Sequence, residues 1–347
     1  MRSFRSYGQL ELALRPGLVL AVGPNGVGKT NLLEALHVAT QGFSPRTRID
    51  QQLVRFGADG ARAAVSGRRG DVRLELEVTV RPREGKRARV NGAPLRTAEQ
   101  LRTTVSALVF TPDRLGVVKG APAVRRAYVD RVLGRLSPAR AGLPAEYGAA
   151  VAQRNAALRR AAAGFSSRDA IEPWSDRVVA LGGELVAARL DALDALGPPF
   201  RERAGELGLD EAAVRYEGEP PSREELDARL DRDLDRGATS LGPHLDDVLL
   251  SAGGRELRTF GSQGEQRLAL LALLLAEAET IVERTGIPPL LLLDDVLSEL
   301  DPGRRRLLAE HVRGAGQALV TATDAAMLPL APDLLVEVRP GAAVEAG

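Results

Sequence analysis

The sequence predicts an α/β chain built as a strand-rich lobe and a second, mostly helical lobe. Three observations predict it. An apolar run, Leu18 to Val22, leads into Gly23-Pro24-Asn25-Gly26-Val27-Gly28-Lys29-Thr30, and a helical pattern follows from Thr30 to Thr40. A second apolar run, Leu290 to Leu293, ends in two acids, Asp294 and Asp295. Between them, from Pro122 to about Arg236, alanine, leucine, arginine and glutamate recur at helical spacing.

The remaining elements follow in order. Val72, Leu74, Leu76, Val78 and Val80 alternate with polar residues, so they read as a strand with one buried face. Asn91-Gly92 between Arg87–Val90 and Ala93–Leu95 reads as a hairpin turn. Helix breaks are expected near Pro138, Gly164, Pro198-Pro199 and Pro220-Pro221. Strand sequence returns at Val248–Ser251, Leu290–Leu293 and Ala318–Val320. The expected division is therefore a strand-rich lobe of residues 1–115 and 286–347, and a helical lobe of residues 116–285.

Composition narrows the class. Hydrophobic residues make up 44% and charged residues 27%, a globular profile and not a disordered one. With no cysteine there is no disulfide framework and no thiolate chemistry. The longest apolar run, Leu268 to Ala276, falls well short of the roughly 20 residues that cross a bilayer. The N-terminus, with Arg2, Arg5 and Tyr7, has no apolar core of a signal peptide, so a cytoplasmic protein is expected. A net charge of +1 provides no general attraction for nucleic acid, so any such binding must come from local patches.

The glycine-rich stretch is a complete Walker A motif. Its glycines let backbone N–H groups face phosphate oxygens, and the helix start adds its dipole. In this pattern Gly23, Pro24, Asn25, Gly26, Val27 and Gly28 form the cradle, Lys29 reaches the β- and γ-phosphates, and the Thr30 hydroxyl holds Mg²⁺. The Leu290–Asp295 run reads as a Walker B strand, with Asp294 on the metal side and Asp295 as the candidate base toward the attacking water. The expected cofactors are ATP and Mg²⁺. Ser262-Gln263-Gly264-Glu265 opens a long apolar helix, where Ser262 can cap and Gly264 allows close backbone approach. Such a helix start is itself a phosphate site. With the two Walker motifs and Ser298-Glu299-Leu300-Asp301, it resembles the signature loop of ABC-type ATPases. That resemblance implies a head-to-tail homodimer in which Ser262, Gly264 and Glu265 of one copy close over the nucleotide on the other.

Several blocks carry a narrower likeness: Phe4-Arg5-Ser6-Tyr7, Asn31 to Ala35, Ser44-Pro45-Arg46-Thr47, Val117 to Pro122 with Arg125-Arg126, Thr239 to Asp247, and Asp294 to Asp301. On these the chain resembles the RecF family of P-loop ABC-type ATPase heads. The resemblance implies a two-lobed head like that of SMC proteins without their long coiled coils. It implies a slow, switch-like ATPase that binds DNA in an ATP-dependent way and favours single-strand/duplex boundaries. It also implies work with RecO- and RecR-type mediator proteins to load recombinase, and support of the SOS response. The chain departs from related patterns at three places. It begins almost on the Phe4 block, ahead of which the family usually has a further strand. Thr111 and Asp113 stand where a glutamine-bearing loop is expected. Thr321-Ala322-Thr323-Asp324 follows the Ala318 strand, where transport ATPases place a histidine.

For DNA contact the candidates are Arg81, Arg83, Lys86, Arg87 and Arg89 about the hairpin, and Arg154, Arg159 and Arg160 on a helix. With only 3% aromatic residues, base-stacking platforms are not expected. His244, Asp246 and Asp247 read as a polar turn before they read as a metal site. The competing functions are the soluble energising subunit of a membrane transporter and a nucleotide-sensing scaffold that never hydrolyses ATP.

Overall fold

The computed structural model describes residues 1–346, apart from the side chains of Glu99, Pro112 and Asp113. The chain divides into two compact units, Met1–Arg114 with the segment from Ile281 onward, and Leu115–Thr280.

The strands are, in chain order, β1 (Arg2–Phe4), β2 (Tyr7–Gln9), β3 (Leu18–Val22), β4 (Ala61–Arg69), β5 (Val72–Arg81), β6 (Gly85–Val90), β7 (Ala93–Pro94) and β8 (Ala107–Phe110). They continue as β9 (Ala213–Glu217), β10 (Asp247–Ala252), β11 (Arg255–Glu256), β12 (Leu290–Leu293), β13 (Ala318–Ala322), β14 (Leu334–Arg339) and β15 (Ala342–Glu345). The helices are α1 (Lys29–Gln41), α2 (Gly116–Lys119), α3 (Pro122–Leu136), α4 (Leu143–Ala162) and α5 (Glu172–Glu206). They continue as α6 (Arg223–Ala228), α7 (Leu230–Arg236), α8 (Leu257–Phe260), α9 (Gln263–Thr285) and α10 (Pro302–Gly314).

The first unit holds two sheets. One has the order β15-β14-β3-β13-β12-β8 and is parallel except for β15. Strands covered on both faces need no polar alternation, which is why Leu18–Ala21, Leu291–Leu293 and Ala318–Val320 are continuous apolar runs and are buried. The other sheet is antiparallel, β2-β1-β4-β5-β6-β7. Its inner face carries Phe4, Ala61, Ala63, Leu76, Val78, Val80 and Ala88, and Val38 and Ala39 of α1 pack on it. Leu32, Leu33 and Leu36 of the same helix pack on Val19, Ala21, Val109, Leu292 and Leu319 of the parallel sheet. Helix α1 is therefore clamped between two sheets and has almost no solvent face. The expected one-sided burial of β5 holds at Leu76, Val78 and Val80, while Val72 is exposed beyond the reach of α1.

The second unit is mostly helical, with a small antiparallel sheet β11-β10-β9. Two readings are corrected here. Pro198-Pro199 does not break the helix: α5 runs through both prolines to Glu206. Each proline removes one N–H, which deprives the carbonyls of Asp194 and Ala195 of helical partners. Asp194 faces solvent, and Leu196, Phe200 and Ala204, all fully buried, hold the turns on either side. The stretch read at helical spacing from Pro122 to about Arg236 also contains β9, which is defined by pairing with β10 across a long sequence gap.

Candidate functional site

The glycine-rich loop leaves the C-terminal end of β3, which lies between the parallel strands β13 and β14. That is where open α/β sheets place ligands. The loop can curl because Gly28 sits at φ 120, a conformation L-residues avoid. A Cβ there would also lie only 3.0 Å from the hydroxyl of Tyr7 and 3.1 Å from that of Ser6. Tyr7 is buried and its hydroxyl donates to the Gly28 carbonyl at 3.1 Å. Burial pushes its phenol up to about 12, so it stays a neutral donor at any ordinary pH. Pro24, Asn25 and Gly26 form the exposed rim of the loop, with Val27 half-buried.

Lys29 opens α1 and is buried. Its Nζ donates to the carbonyls of Gly23 at 2.7 Å and Pro24 at 3.1 Å, so the ammonium lies along the inside of the loop. Burial lowers its pKa, and the nearby Asp295 and Asp294 work in the opposite direction. The next residue, Thr30, donates its hydroxyl to both carboxylate oxygens of Asp294, at 2.9 and 3.1 Å.

Asp294 ends β12 and is buried, 6% exposed. Besides Thr30 it accepts a hydrogen bond from the Thr321 hydroxyl at 2.8 Å. Burial raises its pKa; the two threonine hydrogen bonds oppose that rise and the neighbouring Asp295 adds to it. Asp295 follows in the left-handed region at φ 50, with its N–H bound to the Thr321 oxygen at 2.9 Å. Its Oδ1 is buried with no hydrogen-bond partner among the described residues. A hydroxyl, a carboxylate whose ionised form is disfavoured by burial, and an orphaned carboxylate oxygen together suit a hard divalent cation with water in its shell. The chemistry of these donors fits Mg²⁺, with Thr30 and Asp294 as the residues that would hold it.

Around the first turns of α1, three separated blocks meet. Glu34 is fully buried and accepts a bidentate pair from Arg5 at 2.9 and 2.7 Å, a bond from the Ser44 hydroxyl at 2.5 Å and one from Arg46 at 3.3 Å. Asn31 donates to Ser6 at 2.9 Å and accepts from Arg46 at 3.3 Å. Sequence reasoning misses Glu34, Arg46 and Thr321 as site residues. Glu34 and Arg46 fall inside blocks that carry the family likeness, and Thr321 stands out only as the occupant of a missing histidine's place. Thr323 and Asp324, next along the chain, do not join the cluster: Asp324 caps the turn at Ala326. Thr111 is buried, and Asp113 lies outside the described side chains.

Ser262, Gly264 and Glu265 lie in the second unit, at the start of α9. The Ser262 oxygen accepts from the Glu265 N–H at 3.2 Å, and Glu265 accepts from the Ser262 N–H at 2.7 Å, a capping box. The hydrogen bond from Ser262 holds the Glu265 carboxyl below its usual range. Gly264 is exposed, and a Cβ there would meet only the Ser262 hydroxyl, at 3.9 Å.

The basic candidates separate. Arg154 is 1% exposed and donates to Asp233, Thr239 and Ser175 at 2.7, 2.9 and 3.0 Å, so it is a core residue and is withdrawn as a DNA contact. The His244 turn is structural, with its ring nitrogens on the Tyr147 hydroxyl at 2.8 Å and the Thr239 carbonyl at 3.2 Å. Asp247 takes both Nε and Nη2 of Arg125. No group of three or more His, Cys, Asp or Glu side chains placed to hold a metal ion occurs among the described residues. By contrast, the face of the antiparallel sheet turned away from α1 is arginine-rich. In register across four strands it runs Arg2, Arg62, Thr79, Arg87, with Arg68, Arg73, Arg81 and Arg89 on neighbouring rows against Glu75 and Glu77.

Comparison with known proteins places the chain. Residues 1–343 match the RecF/RecN/SMC N-terminal domain. The DNA replication and repair protein RecF of Heliobacterium modesticaldum is 36% identical, over 92% of this chain and 90% of its own length. That of Kineococcus radiotolerans is 38% identical, over 94% and 92%. A solved structure of the recombination mediator protein RecF with ATP, from the RecFOR pathway, superposes with a TM-score of 0.89 at 26% identity, covering 100% of this chain and 96% of its own. The Smc head domain of Pyrococcus yayanosii, at 16% identity and a TM-score of 0.60, shares the fold. No helix among the described residues is long and apolar enough to cross a membrane. The expected α/β head is the observed fold, and the chain belongs to the RecF family.

Proposed function

We propose that this chain is an ATP-dependent DNA-binding protein of recombinational repair and replication that works as an ATP-gated homodimer. The observation that carries the reading is the cluster in which Lys29, Thr30, Asp294, Asp295 and Thr321 converge at the mouth of the glycine loop. The names of its relatives, and the solved RecF structure with ATP, support the same direction.

On this reading the N–H groups of Asn25 to Thr30 cradle the phosphates and Lys29 reaches the β- and γ-oxygens. Thr30 and Asp294 hold Mg²⁺, which when bound neutralises charge on those oxygens. Asp295, with one carboxylate oxygen buried and unpartnered, orients the attacking water. The start of α9 in a second copy, with Ser262, Gly264 and Glu265, completes the phosphate shell. Neither half-site is complete alone, so ATP favours the closed pair. Shifting such an equilibrium from 1:99 to 99:1 takes about 5.5 kcal/mol of differential binding. Hydrolysis, slow because it resets a switch, removes the shared phosphate and opens the dimer. The arginine-rich outer sheet face is the surface for duplex phosphates. Gap repair, recombinase loading with RecO- and RecR-type mediators, and support of the SOS response complete the proposal. Kinship with RecF proteins weighs against a transporter subunit.

The test is Lys29→Met. ATP binding, ATP-dependent dimerisation in sedimentation and ATP-dependent retention on gapped duplex should be lost together. A variant that still dimerised with ATP would refute the gating.

A further inference from the structure

Between Leu53 and Ala61 the chain leaves the antiparallel ladder and returns to it. Phe4 pairs with Val54 and Arg2 with Arg62, so the intervening residues bulge out of the β1–β4 ladder. The bulge is fixed: Arg55 N–H bonds to the Ser3 carbonyl and Arg5 N–H to the Leu53 carbonyl, each at 2.9 Å. At its tip a tight turn is closed by Ala58 N–H on the Arg55 carbonyl at 3.0 Å, with Gly57 at φ 80 as the position that needs glycine.

That turn presents Phe56 to solvent at 104% relative exposure, more than any other large apolar side chain described. A large ring held fully in water on a braced turn gains nothing from folding, and folding therefore does not explain it. Its surroundings are cationic. Arg55 precedes it, with its guanidinium over Gly8, and the Arg2–Arg62 pair of the basic sheet face begins where the bulge ends. Asp59 is the one acid within the turn segment. A protein-docking ring would be expected in an apolar patch, whereas this one stands at the margin of an arginine face that suits phosphates.

We propose that Phe56 is a stacking wedge: with phosphates held on the arginine face, its ring covers the terminal base pair where a duplex gives way to single strand. One isolated ring suits one exposed base pair, whereas tracking a single strand takes a series of aromatics. This inference rests on the DNA-binding reading above and adds the feature by which the protein tells a duplex boundary from continuous duplex.

The experiment compares wild type, Phe56→Ala and Phe56→Trp with ATP by fluorescence anisotropy. The probes are a gapped duplex and a closed duplex minicircle without ends, and a further gapped probe carries 2-aminopurine at the boundary base. Phe56→Ala should bind the gapped duplex about tenfold more weakly, the loss of one modest base–aromatic stack. It should bind the minicircle and ATP as wild type does. Phe56→Trp should restore the preference, and wild type but not Phe56→Ala should change the 2-aminopurine emission. Wild-type binding to both DNAs with Phe56→Ala weakened on both alike, or on neither, overturns the wedge alone. So does a Phe56→Ala variant that loses ATP-dependent self-association while keeping the gap preference, which assigns the turn to a protein interface. Wild type that binds neither DNA removes the DNA-binding reading and the wedge with it.

Discussion

Thr321→Val isolates the residue that ties the two acids together. Thr321 is fully buried, and valine keeps its shape while deleting the oxygen. Two bonds go: the donation to Asp294 at 2.8 Å and the acceptance from the Asp295 N–H at 2.9 Å. The first is a hydrogen bond to a charged group and the second leaves a backbone donor without a partner. Together they are worth about 2–4 kcal/mol at neutral pH. The sign with pH is fixed by Asp294. Its folded pKa is already raised by burial, so its contribution to stability is fully present below the unfolded value and is lost as pH rises through the folded pKa. Removing Thr321 deletes an interaction that lowers this pKa, so the folded value climbs further and the penalty at neutral pH grows. The difference in melting temperature between wild type and variant should therefore be larger at about pH 7.5 than at about pH 4. Because cation binding needs the ionised carboxylate, the acid limb of the Mg²⁺-ATP affinity profile should also move to higher pH. Calorimetric melting and titration with Mg²⁺-ATP across that range read both effects. A melting difference that is equal at the two pH values, or an acid limb that stays in place, would show that Thr321 does not control the charge of Asp294.

Two more substitutions test the assignments of basic residues. Arg87→Glu with Arg89→Glu, on the exposed sheet face, should flatten the salt dependence of duplex affinity by about 0.9 log units per log unit of salt for each phosphate no longer neutralised, leaving ATP affinity alone. Unchanged salt dependence would move the DNA surface elsewhere. Arg154→Leu should do the opposite: it strands Asp233 in the core and costs about 3–5 kcal/mol in denaturant titration, with no change in the salt dependence of DNA binding by the folded protein.

What was legible in the sequence is what depends on neighbours along the chain. The Walker A loop needs a strand, glycines and a helix start in succession, and all three are local. So are the two acids after β12 and the Ser262–Glu265 capping box. Thr321 was not legible as a site residue because its role follows from strand register. Leu293 lies beside Val320 across β12 and β13, which sets Asp294 next to Thr321, and no pattern within β13 announces that. Glu34 has the composition of a surface helix residue. It is buried because α1 is covered by a sheet on each side, and it is paired there with Arg5 and Arg46. Arg154 looked like part of a basic helix face beside Arg159 and Arg160. Its partners Ser175, Asp233 and Thr239 all lie far along the chain. The prolines of α5 show the same limit, since local chemistry predicts a stop and buried Phe200 and Ala204 override it.

Charge counting at the glycine loop explains why the proposed site calls for a second copy. Lys29 faces two carboxyls, Asp294 and Asp295, so with both ionised the cluster carries more negative than positive charge before any phosphate enters. A triphosphate adds roughly four more negative charges and Mg²⁺ returns two, which leaves Arg46 and the start of α1 to offset the remainder. Arg46 is itself engaged with the fully buried Glu34. A second helix start brings N–H donors and a partial positive charge without adding a side-chain cation, which is the cheapest available way to finish the balance. The capping carboxylate of Glu265 already occupies that terminus, held ionised by Ser262. In the proposed closed pair, phosphate would compete with this carboxylate for the Ser262 N–H. On the proposed reading, closure would be favourable only while the γ-phosphate is present, and the loss of charge on hydrolysis would reverse it.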